Sequence, residues 1–268
     1  REGDVVELLL VPAGSEGSIA RADCAAEPLI QAKLTEEDAP AFFSGGRTMR
    51  NSPTVKAIRY TGQTAQKSAD KTVVVTKLTD PRGLAYTHTL TLYADNPAAE
   101  VVTSVENTGS APVTFEMLSS FTLGSLSPFS AGLAPETLKI HRLRSTWSAE
   151  GRLVTEAAED LQLEPSWKCY SANSVRFGSV GSFPVRGFVP FCAVEDTAHG
   201  VTWAAATTQG SSWQMELYRQ DFGLSLSGGL ADREFGAWCK TLAPGACFTA
   251  PKAVLTAVRG GVDTAAQV

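Results

Sequence analysis

Tyr86-Thr87-His88-Thr89-Leu90-Thr91-Leu92-Tyr93 alternates without a break. Tyr86, His88, Leu90 and Leu92 fall on one side of an extended chain and Thr87, Thr89 and Thr91 on the other, because successive side chains of a β-strand point to opposite faces. The stretch therefore reads as a half-buried strand. The same period of two recurs in Val113-Thr114-Phe115-Glu116-Met117, in Trp213-Gln214-Met215-Glu216-Leu217, and in Phe222, Leu224 and Leu226 against Ser225 and Ser227. Segments with one apolar and one polar face predict an antiparallel sheet. Turn signals separate them: Asp80-Pro81-Arg82-Gly83, Asp95-Asn96-Pro97, Asn107-Thr108-Gly109, Ser227-Gly228-Gly229 and Pro244-Gly245. Gly and Asn tolerate positive φ there and Pro presets it.

Working outward, further strands are predicted over residues 5–11, 55–60, 72–78, 100–106, 138–144, 187–194 and 201–208. The last two are apolar on both faces, as strands between covered layers are. Helical signals are few: Thr35-Glu36-Glu37-Asp38 caps a short turn running to Phe43, and residues 155–161 are acidic but too short to stand alone. Residues 159–174 are the least strand-like. The fold class expected is all-β, a large two-sheet antiparallel sandwich with few short helices, forming a single domain over residues 1–268.

Composition narrows the function. The 23 Lys+Arg against 28 Asp+Glu leave a formal charge of −5, which argues against a nucleic-acid clamp. With 43% hydrophobic and 19% charged residues the chain is an ordinary globular one. No apolar run approaches the roughly 20 residues of a membrane span, so no membrane partner is expected. Cys24, Cys169, Cys192, Cys239 and Cys247 are odd in number and contain no C-x-x-C pair, which reads as free, partly buried thiols in a reducing compartment. The start at Arg1 lacks the order of a secretory signal, and no Asn begins an N-x-S/T acceptor. The expectation is a trimmed bacterial protein of cytoplasmic location.

The search for chemistry returns mostly negatives. His88, His141 and His199 are far apart and show no metal-ligand spacing, and His88 reads as a hydrogen-bonded core histidine. No phosphate-binding or nucleophile-elbow motif occurs, so no cofactor and no metal are expected. Gly45-Gly46, Gly228-Gly229 and Gly260-Gly261 read as turns. Glu36-Glu37-Asp38 and Glu159-Asp160 read as solvated charges, although paired carboxylates are defined in space rather than in sequence.

Two stretches are denser in polar and aromatic groups than a connection needs. In Arg142-Leu143-Arg144-Ser145-Thr146-Trp147-Ser148-Ala149-Glu150-Gly151-Arg152, a Trp sits among three arginines and a glutamate. That suits a sugar or a partner surface, and equally an arginine stacked on a structural Trp. Phe43-Ser44-Gly45-Gly46-Arg47-Thr48-Met49-Arg50-Asn51-Ser52 is a glycine-hinged loop with two cations, which reaches a partner or simply connects strands. Of the tryptophans Trp147, Trp167, Trp203, Trp213 and Trp238, the pair Trp203 and Trp213 lies within apolar strands and Trp238 precedes a turn, so these read as core.

Asp80-Pro81-Arg82-Gly83-Leu84, the strand to Tyr93, Val105-Glu106-Asn107-Thr108-Gly109 with Pro112-Val113, and Leu118-Ser119-Ser120-Phe121-Thr122-Leu123 resemble the amino-terminal domain of glycoside hydrolase family 36. The resemblance continues through Arg144 to Arg152, Gly181-Ser182-Phe183-Pro184-Val185-Arg186-Gly187-Phe188, Gly228-Gly229-Leu230-Ala231-Asp232-Arg233-Glu234-Phe235-Gly236, Trp238, Leu242-Ala243-Pro244-Gly245 and Phe248. It covers roughly residues 72–258. It implies an α-galactosidase parent acting on raffinose- or melibiose-type oligosaccharides, with a β-supersandwich before a (β/α)8 barrel and a small β domain behind it. The family's catalytic aspartates lie in barrel motifs of the K-W-D and D-x-x-R kind, and neither is present here, so no catalytic residue is assigned. The resemblance implies packing on the chain's own downstream barrel, a tetrameric homo-oligomer, and loops lent to a neighbour's active-site mouth. Arg47, Arg50, Asn51, Arg144, Trp147, Glu150 and Arg152 are the candidates for mouth or interface contacts. An exposed apolar patch is expected where the barrel is missing. An autonomous carbohydrate-binding sandwich is the alternative, and a complete enzyme of unrelated mechanism a third.

Overall fold

The computed structural model describes residues 1, 3–20, 25–35, 37, 49–130, 136–163, 172–220 and 222–268. Their strands form two antiparallel sheets packed face to face. The larger runs β2 (Arg59–Lys67), β3 (Lys71–Thr79), β4 (Leu84–Tyr93), β5 (Ala98–Asn107), β16 (Ala253–Arg259), β11 (Val201–Thr207), β10 (Gly187–Asp196), β7 (Leu138–Thr146) and β8 (Ala149–Ala157), with β15 (Cys247–Thr249) also paired to β5. The smaller runs β1 (Ala32–Leu34), β6 (Val113–Leu126), β13 (Gly223–Leu230), β12 (Trp213–Gln220) and β9 (Ala172–Ser179), with β14 (Lys240–Leu242) added on β6. Three short α-helices, α1 (Pro53–Ala57), α2 (Arg233–Gly236) and α3 (Val262–Ala266), and a 3-10 turn at Glu16–Ser18 complete the described elements. This is the all-β two-sheet sandwich that the alternating segments predict.

The core separates into two apolar clusters. One gathers Val101, Phe121, Leu123, Ile140, Trp203, Trp213, Met215 and Leu255, and the other Leu84, Tyr86, Val105, Phe115, Leu118 and Leu242. Polar residues lie between them on each shared strand. Along β4, Leu84 and Tyr86 join one cluster, Leu90 and Leu92 pack on the other, and His88 stands between. Thr103 holds the same place on β5, and the Ser119-Ser120 pair on β6. Gln63, Thr76, His88 and Thr103 are successive cross-strand partners from β2 to β5. Gln63 Nε2 donates to Thr76 Oγ1 at 2.8 Å, and Thr103 Oγ1 donates across the sandwich to the Ser120 carbonyl at 2.8 Å. A polar row thus leads from the exposed edge of the large sheet to the centre of the molecule.

Several local expectations are corrected. Residues 5–11 form no strand beyond a bridge at Val5. The Val6 carbonyl accepts from Leu29 N–H and the Leu8 carbonyl from Gly124 N–H, so the segment crosses between partners instead of following one. Residues 55–60 are split: Ser52 Oγ caps Val55 N–H and Pro53 opens α1, and only Arg59 and Tyr60 belong to a strand. Residues 155–161 are not helical: Thr155 to Ala157 finish β8, and the Asp160 carboxylate caps the turn by accepting from Ala157 N–H. Glu37 is not a solvated charge, because it pairs with Arg82 at 2.6 Å and accepts from Thr54 Oγ1 at 2.7 Å. Burial pushes its carboxyl up, but the hydrogen bonds from Thr54, Arg82 and Leu34 with the Arg82 charge leave it below the usual range. Glu159 is half-buried and accepts from Glu136 N–H. The rest of the turn expected after Thr35, at Glu36 and residues 38–43, lies outside the described residues, as does Gly45-Gly46.

Gly228 and Gly229 are strand residues in β13, not a turn. A Cβ on Gly228 would stand 2.8 Å from the Phe121 ring and 2.9 Å from Met215 Cγ. At Gly229 φ is +147° and the Ser120 hydroxyl would be 2.6 Å away. The two glycines exist for close approach of β13 to β6.

Candidate functional site

The two dense stretches have opposite fates. Arg47 lies outside the described residues. Arg50 is wholly buried on the outward side of the small sheet, where its guanidinium stacks 4.5 Å from the Tyr218 ring centre. It donates to Glu27 at 2.5 Å, to Ser225 Oγ at 3.0 Å and to the Glu216 carbonyl at 3.4 Å. Asn51, at φ +53°, accepts from Gln31 Nε2 and donates its amide to Tyr218 Oη at 3.3 Å. Burial drives the Tyr218 phenol up to about 12, against the pull of Asn51 and the Arg50 cation. Arg50 and Asn51 therefore fasten the end of the glycine-hinged loop to β12 and β13.

The segment from Arg142 to Arg152 is the β7–β8 hairpin. Thr146 faces Ala149, so Trp147 and Ser148 are the two turn residues, with Ser148 at φ +61°. Ser148 N–H donates to Glu150 Oε1 at 2.9 Å and steadies the tip. Trp147 is 92% exposed. The stacked arginine exists, but not on tryptophan: Arg142 lies 5.3 Å from the Phe177 ring and 5.5 Å from Phe188, Arg144 lies 4.9 Å from Phe188, and Arg142 also pairs with Glu156. Arg144, Glu150 and Arg152 are exposed.

The β9–β10 connection leads into β10 beside this hairpin, where Gly187 pairs with Ser145 and Phe188 with Arg144. Phe183 on it is 58% exposed and Val180 49%; with Leu153 at 44% and Trp147 they are the four most exposed large apolar side chains described. Sequence reasoning singled out Trp147 by local density and not Phe183, which lies four residues before the Gly187–Ser145 pairing.

The remaining reactive groups are built into the fold. His88 is buried, its Nε2 has no hydrogen-bond partner among the described residues, and burial pushes its imidazole down to about 4, only partly offset by its own backbone. His141 lies 2.9 Å from both Glu195 and Thr155. His199 Nδ1 meets Asp196 at 2.7 Å, and the Ser127 hydroxyl donates to that carboxylate and not to the imidazole, so the arrangement does not activate a nucleophile. Burial drives the Cys192 thiol up to about 12; Cys239 and Cys247 are exposed and free, while Cys24 and Cys169 lie outside the described residues. Among the described residues no group of three or more His, Cys, Asp or Glu is placed to hold a metal ion, and no helix is long and apolar enough to cross a membrane. Trp203 and Trp213 are core as read, Trp238 stacks on Phe248 at 5.8 Å, and Trp167 lies outside the described residues.

No family model and no curated protein matches the chain. Solved structures do. An α-galactosidase from Lactobacillus brevis matches at a TM-score of 0.63 with 15% identity, over 92% of this chain and 32% of its own. A family GH36 α-galactosidase from Geobacillus stearothermophilus matches at 0.60 with 14% identity, over 94% of this chain and 32% of its own. The galactosidase domain of an α-galactosidase-sucrose kinase matches at 0.66 with 12% identity, over 91% and 31%. The chain spans about a third of the length of these structures, a share that fits one domain, as the resemblance to an amino-terminal domain implies. What the likeness establishes is that this sandwich has the fold of the matched third of these α-galactosidase chains.

Proposed function

We propose that the chain is the non-catalytic amino-terminal sandwich domain of an α-galactosidase-like glycoside hydrolase that removes terminal α-galactosyl residues from oligosaccharides. Hydrolysis with retention would take place in a separate downstream barrel, and this domain would pack on that barrel, support a homo-oligomer and shape the active-site mouth. The observation that carries the reading is the lopsided coverage: nine-tenths of this chain matches one-third of each α-galactosidase. The burial of Arg50 and the half-burial of Asn51 support a positioning role for these two residues at the end of the glycine-hinged loop.

The test is hydrolysis of p-nitrophenyl α-galactoside by this 268-residue chain beside the same chain extended downstream to its natural stop. Activity confined to the longer protein is expected. Activity in the short chain would overturn the reading and reopen every carboxylate. The exposed indole of Trp147 favours a second reading, an autonomous carbohydrate-binding module. Titration of the chain with galactosides, followed by Trp fluorescence, separates the two, since saturable quenching would establish the module.

A further inference from the structure

The outer face of the large sheet carries a chain of three side chains that the proposed function does not use. Ile140 belongs to the core, so His141 beside it on β7 points to the opposite, outer face. Thr155 on β8 is its cross-strand partner, and Glu195 on β10 is the partner of Lys139, the next outward residue of β7. The imidazole bridges them: Nδ1 lies 2.9 Å from Thr155 Oγ1, and Nε2 lies 2.9 Å from Glu195 Oε2.

These contacts fix the tautomer. A carboxylate only accepts, so Nε2 carries the ring proton and donates to Glu195. The neutral ring then has a bare Nδ1, and the Thr155 hydroxyl donates to it. A hydroxyl aimed at an unprotonated imidazole nitrogen, with a carboxylate behind the ring, is an activated nucleophile. The connectivity at Ser127 differs, because that hydroxyl donates to the Asp196 carboxylate and not to a base.

Exposure assigns the roles. Thr155 is exposed on the last strand of the large sheet, whereas the His141 side chain is 5% exposed and that of Glu195 23%. A reagent in solution therefore reaches the hydroxyl and not the ring.

We propose that Thr155 is an acyl-acceptor site for activated esters, with His141 as its general base and Glu195 as the residue that positions the ring. Thr155 Oγ1 attacks the ester carbonyl carbon as its proton passes to Nδ1, and the Glu195 carboxylate pairs with the imidazolium. The adduct then breaks its bond to the leaving oxygen, which takes the proton back from Nδ1, and the acyl group stays on Thr155. The product is an alkyl ester, less activated than an aryl ester, so the acyl group accumulates. This chemistry is separate from glycoside hydrolysis, and neither assay decides the other.

Reaction of the 268-residue chain with p-nitrophenyl acetate tests it. A burst of p-nitrophenolate equal to a single acetyl per chain is expected, with peptide mass spectra placing the acetyl on Thr155 as a hydroxylamine-labile ester. Thr155→Val should abolish the burst and Thr155→Ser should keep it, both at a wild-type melting temperature, since the side chain is exposed. His141→Gln should slow acetylation about 100-fold, within the range of general-base catalysis. Nitrogen NMR of the imidazole should show a protonated Nε2 and a bare Nδ1 in the wild type and a mixture of tautomers in Glu195→Leu, a change that a merely structural carboxylate would not produce. Acetyl groups confined to amines as stable amides, or an equal burst in Thr155→Val, overturn the proposal. A wild-type ring protonated on Nδ1 instead of Nε2 overturns it as well.

Discussion

His88 occupies the one polar position on an otherwise apolar strand face, and its imidazole sits near 4 against 6.5 for an exposed histidine. The unfolded chain therefore takes up a proton at higher pH than the folded one. Stability from this group is complete above about pH 6.5, falls as pH drops toward 4, and changes no further below that, where both states are protonated. The total is about 3 kcal/mol. Urea unfolding across that window should show the slope in the wild type and lose it in His88→Met; equal slopes would mean that His88 titrates normally. At Arg50, truncation to Ala removes the Tyr218 stack and strands Glu27, whose side chain is 12% exposed. Breaking such a buried pair costs about 3–5 kcal/mol. Arg50→Met keeps the stem on the ring and should recover part of that loss in the same denaturant titration. The first of these positions was legible: the alternation places a histidine on the core side of a strand. The second was not, because the partners of Arg50 are Glu27, Glu216 and Ser225, and no local pattern brings those four together.

Strands β6, β13 and β12 explain why some punctuation misleads. Ser227-Gly228-Gly229 carries the composition of a turn yet continues a strand, because Phe121, Met215 and Ser120 occupy the space that side chains would need. Gly228→Ala should lower stability by about 1–3 kcal/mol, the range for overpacking a filled core, read as a drop in melting temperature with an unchanged β-type circular dichroism spectrum. A neutral effect would show that Phe121 and Met215 can retreat. Helix α2 rests on a similar long-range construction. Asp232 caps Phe235 N–H at 2.8 Å, accepts from Gln214 Nε2 at 2.8 Å and pairs with Arg176 at 3.0 Å, all with its side chain buried. Asp232→Ala removes a cap and leaves the Gln214 amide unsatisfied, a loss of about 2–3 kcal/mol in thermal or denaturant unfolding. Asp232→Asn should lose less, because it can still cap. Strong alternation made most strands readable, whereas the polar edge strands β2 and β8 and the capped turns were not. Both strands are exposed on both faces over most of their length, so neither needs an apolar side and no alternation marks them.

At the scale of the whole molecule, the polar row raises the question of whether two apolar clusters amount to two folding units. We propose that they form one, on the evidence of the strands. β4 and β5 carry residues of both clusters on a continuous ladder, with Leu84 paired to Asn107 at one end and Leu92 to Ala99 at the other, and β6 does the same from the opposite sheet. Neither cluster can expose its side chains without breaking hydrogen bonds that hold the other. The Thr103 to Ser120 bond further ties the two sheets at the seam itself. The chain should therefore unfold in a single calorimetric transition whose van't Hoff and measured enthalpies agree. Leu255→Ala in one cluster and Leu84→Ala in the other, both buried at 0% exposure, should each cost about 2–5 kcal/mol and shift that one transition downward as a whole. Two resolved transitions, or a variant that moves only part of the heat absorption, would divide the chain into separate domains at the row of Gln63, Thr76, His88 and Thr103. The linked charge of His88 then gives a finer reading. If the seam is integral to one cooperative unit, acidification toward pH 4 lowers the single transition without splitting it, because the proton is taken up only by the fully unfolded chain.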